Sequence, residues 1–186
     1  MKRVGFLLCV MLFLTGCSMK NDDMDRALEF RSKLLNASEV SFCCSVVADY
    51  GNQIQMFSMD CQGDSQGNIR FAVTKPETIS GITGEISSEG GALTFDDKVL
   101  FFTLLKDDQL SPVSTPWIFL KAMQSGYIHA VGTEEEFLRV TLEDSYADDA
   151  LLVDVWFAAE DAPVKGDILY DGKRILSFEI ENFLIR

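Results

Sequence analysis

The segment Trp117 to Ser125 (WIFLKAMQS) restricts the fold more than any other stretch of this 186-residue chain. Thr115 stands where a helix cap belongs, Pro116 at the first helical position and Gly126 just past the end, so the spacing predicts a short helix. Six of its first seven residues are apolar. A helix without a water-facing stripe cannot lie on a surface, and it has to be inserted into something the rest of the chain builds.

That surrounding structure reads as β. Residues 40–49 (VSFCCSVVAD) set Phe42, Cys44 and Val46 on one face, and residues 53–61 (QIQMFSMDC) set Phe57, Met59 and Cys61 on one face. A two-residue turn at Gly51-Asn52 places Tyr50 opposite Gln53. Val46 then faces Phe57, Cys44 faces Met59 and Phe42 faces Cys61, which brings both apolar rows to the same side. Further strands are expected at 68–74, 78–86, 91–95, 98–105, 136–143, 150–158, 164–171 and 173–183, punctuated by Gly63 to Gly67, Pro76, Gly90-Gly91, Asp96-Asp97 and Asp171-Gly172. Leu138, Val140 and Leu142 alternate with Phe137, Arg139 and Thr141, and Leu176, Phe178 and Ile180 alternate with Ser177, Glu179 and Glu181. Residues 99–105 (VLFFTLL) are apolar on both faces, as for a strand covered on one side and lining an interior on the other. Ahead of the strands, Asp22 or Asp23 caps a helix over 24–36, with Met24, Ala27, Leu28, Leu34 and Leu35 at helical spacing. No repeat, low-complexity tract or linker divides residues 23–186, so one domain is expected.

The first residues carry an address. Met1-Lys2-Arg3 is basic, Val4 to Leu14 is an apolar run of eleven residues, and Leu14-Thr15-Gly16-Cys17 follows. The run matches a signal-peptide core and is too short to span a bilayer. Its end is similar to the lipobox of bacterial lipoproteins. The likeness implies that residues 1–16 are removed and that Cys17 carries a diacylglyceryl group, with 17–22 as a short tether of at most about 17 Å. The protein is then expected on the extracytoplasmic face of the cell membrane.

Charge sorts the partners. Sixteen Lys plus Arg against twenty-nine Asp plus Glu give −13. Such a surface lacks the phosphate-neutralising patch that nucleic-acid binding requires, and it is repelled by anionic headgroups. Membrane attachment would depend on the acyl chains.

An N-terminal helix, about ten antiparallel strands and an oily helix midway describe an α+β, mostly β fold: a strongly curved antiparallel half-barrel with helices covering its open side. The chain here resembles the lipoprotein-carrier half-barrel superfamily that includes the LolA, LolB and RseB-type proteins, in particular its Gram-positive lipoprotein members. The residues that carry the likeness are Pro76-Glu77-Thr78-Ile79-Ser80-Gly81-Ile82-Thr83-Gly84, Leu110-Ser111-Pro112, Pro116-Trp117, Ser125-Gly126-Tyr127-Ile128 and Asp171-Gly172-Lys173-Arg174 with the strand to Phe183. The resemblance implies a concave apolar face that receives acyl chains or another hydrophobic partner. Candidate lining residues are Phe42, Val46, Phe57, Met59, Phe71, Phe102, Leu138, Val140, Phe178 and Ile180, with Trp117, Leu120 and Met123 as lid. The same residues also suit a core packed solid. Carriers of the family hold cargo with a cavity arginine, and no arginine here matches a motif for that role.

Three other groups bear on chemistry. Cys43, Cys44 and Cys61 sit in an exported domain, so a bridge to Cys61 is open; in the expected register Cys44 shares its face diagonally, and a bulge would favour Cys43. Acidic pairs at Asp96-Asp97, Asp107-Asp108, Glu134-Glu135-Glu136 and Asp148-Asp149 lack calcium-loop spacing and read as solvated turns. His129 is the single histidine and reads as a partly exposed loop residue; no nucleophile motif accompanies it. Neither a cofactor nor a metal is expected.

Two functions follow from these residues: a membrane-anchored module that binds a lipid or acylated peptide in its half-barrel, or a non-enzymatic scaffold that docks an envelope protein through the same fold. The address yields the first test. Cys17→Ser is expected to abolish metabolic labelling by radioactive palmitate and to move the protein from the membrane to the soluble fraction.

Overall fold

The computed structural model describes residues 19–51, 53–102, 105–106, 109–145, 150–159 and 161–186. The signal segment, Cys17, Asn52, Asp107-Asp108 and Asp148-Asp149 lie outside the described residues. Helix α1 (Met19–Leu35) is followed by strands β1 (Glu39–Asp49), β2 (Ile54–Asp64), β3 (Ile69–Lys75), β4 (Thr83–Ser87), β5 (Gly90–Phe95) and β6 (Lys98–Phe102). The small hairpin β7 (Leu105–Lys106) and β8 (Gln109–Leu110) leads to helix α2 (Thr115–Ser125). Strands β9 (Tyr127–Glu134), β10 (Phe137–Glu143), β11 (Leu152–Phe157), β12 (Pro163–Tyr170) and β13 (Lys173–Ile185) complete the chain. Among the described residues no helix is long and apolar enough to cross a membrane.

Eleven strands form one antiparallel sheet in the order β6-β5-β4-β3-β2-β1-β13-β12-β11-β10-β9. It is curved and not closed. Two meanders, β1–β6 and β9–β13, are thus joined along a single seam between the first strand and the last, where Val40 pairs with Ile185 and Ala48 with Leu176. The two margins of the sheet, β6 and β9, are consecutive in the main sheet's chain order, and the segment between them holds α2.

Period-two alternation fixes which face is inner. The hairpin β1–β2 has the expected register, with Val46↔Phe57, Cys44↔Met59 and Phe42↔Cys61. Asp171-Gly172 turns β12 into β13 with both residues at positive φ (48° and 69°), a conformation glycine adopts freely. Register shifts interrupt five of the strand pairs, and in the β1–β13 pair the shift accompanies Asn182 at φ 55°. The bulge lets Phe183 follow Ile180 at a spacing of three and still pack against the core.

Both helices fill the inner face. In α1 the buried line is Ala27, Phe30 and Leu34, whereas Leu28 and Leu35 are 46% and 59% exposed. The contacts of Phe30 with Phe157 (4.9 Å between ring centroids) and Phe183 (5.7 Å) set that line. In α2 the residues Thr115 to Leu120, Ala122 and Met123 are all buried, as an all-apolar inserted helix requires. Phe119 stands at its centre, with ring centroids 5.8 Å from Phe42, 5.5 Å from Phe178 and 6.2 Å from Phe183. Each of the five large side chains Trp117, Ile118, Phe119, Leu120 and Met123 contributes about 2 kcal/mol by leaving water. Gly63 of β2 permits the approach, since a Cβ there would sit 2.7 Å from Leu120 Cδ1.

Burying the end of α2 leaves its last carbonyls without water. Arg31 of α1 satisfies them: its Nε donates to Met123 O and its Nη2 to Gly126 O, each at 2.8 Å. Its positive charge also opposes the negative end of the helix dipole. Partial burial draws the Arg31 pKa below its ordinary value. Replacing this side chain by an apolar one of similar length strands both carbonyls. Arg31→Leu is expected to cost about 2 kcal/mol, read as a lower urea midpoint at unchanged slope.

Candidate functional site

The candidate lining and lid residues come together as the sequence expects, but they form a solid. Phe42, Val46, Phe57, Met59, Phe71, Leu138, Val140, Phe178 and Ile180 belong to one buried cluster with Trp117, Leu120 and Met123. Phe102 is half-buried and packs at the margin of that cluster. α2 is therefore a plug in the concave face. Sequence spacing singled out Trp117, Leu120 and Met123 as one stripe; the helix is buried on all sides but the line of Lys121 and Ser125, so Phe119 and Ile118 are just as central.

Cover is uneven across the sheet. From β9 through β13 to β3 the inner face lies beneath the helices. The wing formed by β4, β5 and β6 is left over. Here a groove of about 1430 Å³ opens, lined by Tyr50, Gln55, Gly91, Phe102, Leu110 and Pro112, with Asn68, Glu85, Ser87, Glu89 and Ser111 adding polar groups. Tyr50 fixes one wall: its hydroxyl donates to Leu110 O at 2.7 Å and so ties the end of β1 to the turn before α2. Burial raises the pKa of that phenol, which keeps it a donor. On the opposite wall the Phe102 ring occupies the space a Cβ on Gly91 would take. Phe71 lies likewise over Gly84, and Phe178 over Gly166. Glycines at these three positions let large rings lie flat on the neighbouring strand.

The run VLFFTLL departs from its expectation. β6 is the last strand of the sheet, and Val99, Leu100 and Phe101 are 55%, 64% and 80% exposed. They line no closed interior, because the sheet ends there and, among the described residues, no helix crosses it. A strand apolar on both faces reads in sequence as doubly covered; here it is doubly bare.

The outer face carries charges, and two hollows of about 1000 and 560 Å³ lie among them, both lined by Trp156, Asp167 and Arg174. Asp154, nearly buried, accepts hydrogen bonds from Arg139 Nη2 (2.7 Å) and Thr141 Oγ1 (2.6 Å). Arg139 also reaches Glu134 at 3.0 Å and lies over the Trp156 ring. The bond to Asp154 holds the Arg139 pKa above its ordinary value. Arg139 and Arg174 are thus committed to outer-face carboxylates, and Arg31 to α2, so these guanidinium groups are not placed to hold cargo in the groove.

Cys43, Cys44 and Cys61 are free thiols. In the observed register Cys44 and Cys61 are diagonal partners, about 7 Å or more between Cα atoms, at the limit of what a disulfide spans. Cys43 points to the other face and donates to Asp60 Oδ1 at 3.2 Å. Burial pushes the Cys44 and Cys61 thiols up, and the bond to Asp60 does the same for Cys43, so none is poised as a thiolate. His129 lies on strand β9 and not in a loop; it is exposed, with Nδ1 3.8 Å from Glu143 Oε2. Asp96-Asp97 and Glu135 occupy tight turns at positive φ, as solvated acids.

No family model matches the chain, and no curated protein matches it. Solved structures do. A putative outer membrane lipoprotein-sorting protein domain from Vibrio parahaemolyticus has a TM-score of 0.48 at 7% identity, covering 87% of this chain and 91% of the other. A LolA superfamily protein from Nitrosomonas europaea gives 0.43 at 8%, covering 86% and 93%. The lipoprotein LppX from Mycobacterium tuberculosis gives 0.41 at 12%, covering 87% and 93%. The superfamily that the sequence resembles is among them.

The packing of the lid residues has a direct consequence. Trp117 is 7% exposed, so Trp117→Asp places a charge in the core and is expected to cost about 4 kcal/mol of stability or more. A thermal melt followed by circular dichroism would show the loss as a lower midpoint, with no ligand present.

Proposed function

We propose that this chain is a lipid-anchored protein of the bacterial cell envelope that binds an apolar ligand, a lipid or acyl chain, in the groove beneath its β4–β6 wing. The reading is of a binding module and not an enzyme: the thiols are protonated, the histidine is solvated, and the groove holds no nucleophile paired with a base. One observation carries it. The sheet bends to make an apolar inner face, both helices fill most of that face, and the part they leave opens as a groove of lipid size walled by Phe102, Leu110, Tyr50 and Pro112.

The helices and the groove divide the work. α2 supplies the rigid floor of the domain, and the wing supplies the adaptable wall, since Phe102 and Leu93 are only half-buried. Anchoring at Cys17 would hold the domain against the bilayer.

Native mass spectrometry of the mature chain beginning at residue 18 tests the proposal. Copurifying lipid in the wild-type protein is expected, and Phe102→Asp is expected to lose it with little change in melting temperature. A lipid-free wild-type domain, or lipid retained in Phe102→Asp and in Leu110→Asp alike, removes the groove from consideration. Docking of a protein is the second reading, and the bare strand β6 favours it.

A further inference from the structure

β6 ends the sheet, and among the described residues no strand pairs with its far side. Its turn, Asp96-Asp97, has both residues at positive φ (49° and 60°), which makes Phe95 and Lys98 the first bonded pair of the hairpin. Bonded pairs alternate along an antiparallel ladder. Leu100 therefore bonds to Leu93 and Phe102 to Gly91, whereas Val99 and Phe101 turn their N–H and C=O groups outward. Proteins blunt such margins with charge, proline, a bulge or a covering element. β6 pairs with β5 without a register shift, contains no proline, and has its single charge, Lys98, at the turn. The other margin is treated differently. α1 lies along β9, where Thr133 Oγ1 donates to Asp23 at 3.2 Å.

We propose that β6 receives an extended, basic segment of another protein as an additional strand of the sheet. The backbone groups of Val99 and Phe101 would supply the main-chain bonds, and the exposed side chains of Val99, Leu100 and Phe101 would pack against apolar residues on both faces of the incoming strand. Charge selects the partner. Between residues 77 and 102 the chain has five acids, Glu77, Glu85, Glu89, Asp96 and Asp97, against Lys98 alone. A second copy would bring like charges together, at −13 for each chain. A lysine- or arginine-bearing strand is attracted. The site adjoins the groove, which Phe101 also lines, but pairing at the margin requires no lipid.

The test uses the full chain in detergent micelles and a nine-residue peptide of alternating valine and threonine with lysine at both ends. It is compared with the same peptide ended by glutamate and with the lysine form N-methylated at every second amide on one edge. The lysine form is expected to bind, and each of the other two to bind at least about tenfold more weakly at low salt. Bound peptide is expected to slow hydrogen exchange at the Val99 and Phe101 amides at least about tenfold. Phe101→Pro removes an outward donor without breaking the bonds to β5, and it is expected to weaken binding by about the same factor. Absence of binding, equal binding of the glutamate or N-methylated peptide, unchanged exchange at residues 99 and 101, or occupation of β6 by a second copy of this chain overturns the proposal. The peptide comparisons and the exchange readout require no altered protein to fold.

Discussion

Burial of α2 against the inner face of the sheet is the interaction on which the rest of the structure depends. A curved eleven-stranded sheet exposes a row of Phe, Val, Leu and Ile on its concave side, and α1 alone is too narrow to cover it. The helix that closes it has almost no polar surface of its own, so sheet and helix are each unstable without the other. Phe119 shows this mutual requirement most directly: it touches aromatic rings from β1 and from β13, the two strands of the seam between the meanders. Arg31 completes the arrangement by satisfying carbonyls that burial would otherwise leave unpaired. A charged residue thereby serves an apolar core.

The plug also explains where binding can occur. Once α2 and α1 occupy the region between β9 and β3, no helix among the described residues covers the β4–β6 wing; Ile86 of β4 still joins the core, and Phe95, Val99, Leu100 and Phe101 are exposed. Phe71 over Gly84 and Phe102 over Gly91 keep that wing thin, since a ring lying on glycine takes less height than one stacked on a larger side chain. The far side of β6 likewise has no partner strand among the described residues. Groove and margin are two results of a single shortage of covering elements.

Much of this was legible in the sequence. The alternation of Phe42, Cys44 and Val46 with that of Phe57, Met59 and Cys61 determined the β1–β2 register residue by residue, because a slip of one position would turn every apolar side chain outward. Pro116, Gly126 and the apolar run defined α2. What the sequence withheld depended on long-range neighbours. β9 (YIHAVGTE) was not expected as a strand, since at the margin its side chains are mostly solvated and carry no alternation. Residues 99–105 gave the opposite error: apolar character was taken as cover, though cover depends on what lies across the sheet. The bulge at Asn182 and the bonds of Arg31 to α2 likewise arise from partners far away in the chain. For the candidate site, the apolar residues named from the sequence share one buried cluster with Phe102 at its margin, and the sequence could not tell a filled face from a hollow one, which is decided by how many helices share the same concavity.

The seam between the first and last strands carries a consequence for how the molecule is made. Val40 waits for Ile185, and Ala48 for Leu176, so the inner row of β1 has no lateral neighbour on that side until nearly the whole polypeptide has been synthesised. Pairings of such long sequence separation close slowly. During that interval β1 and the bare β6 offer unpaired backbone to any passing chain. The half-barrel is therefore most vulnerable to aggregation while it is still emerging, and the acidity of its wing, by repelling other copies, protects the newborn protein as well as the finished one.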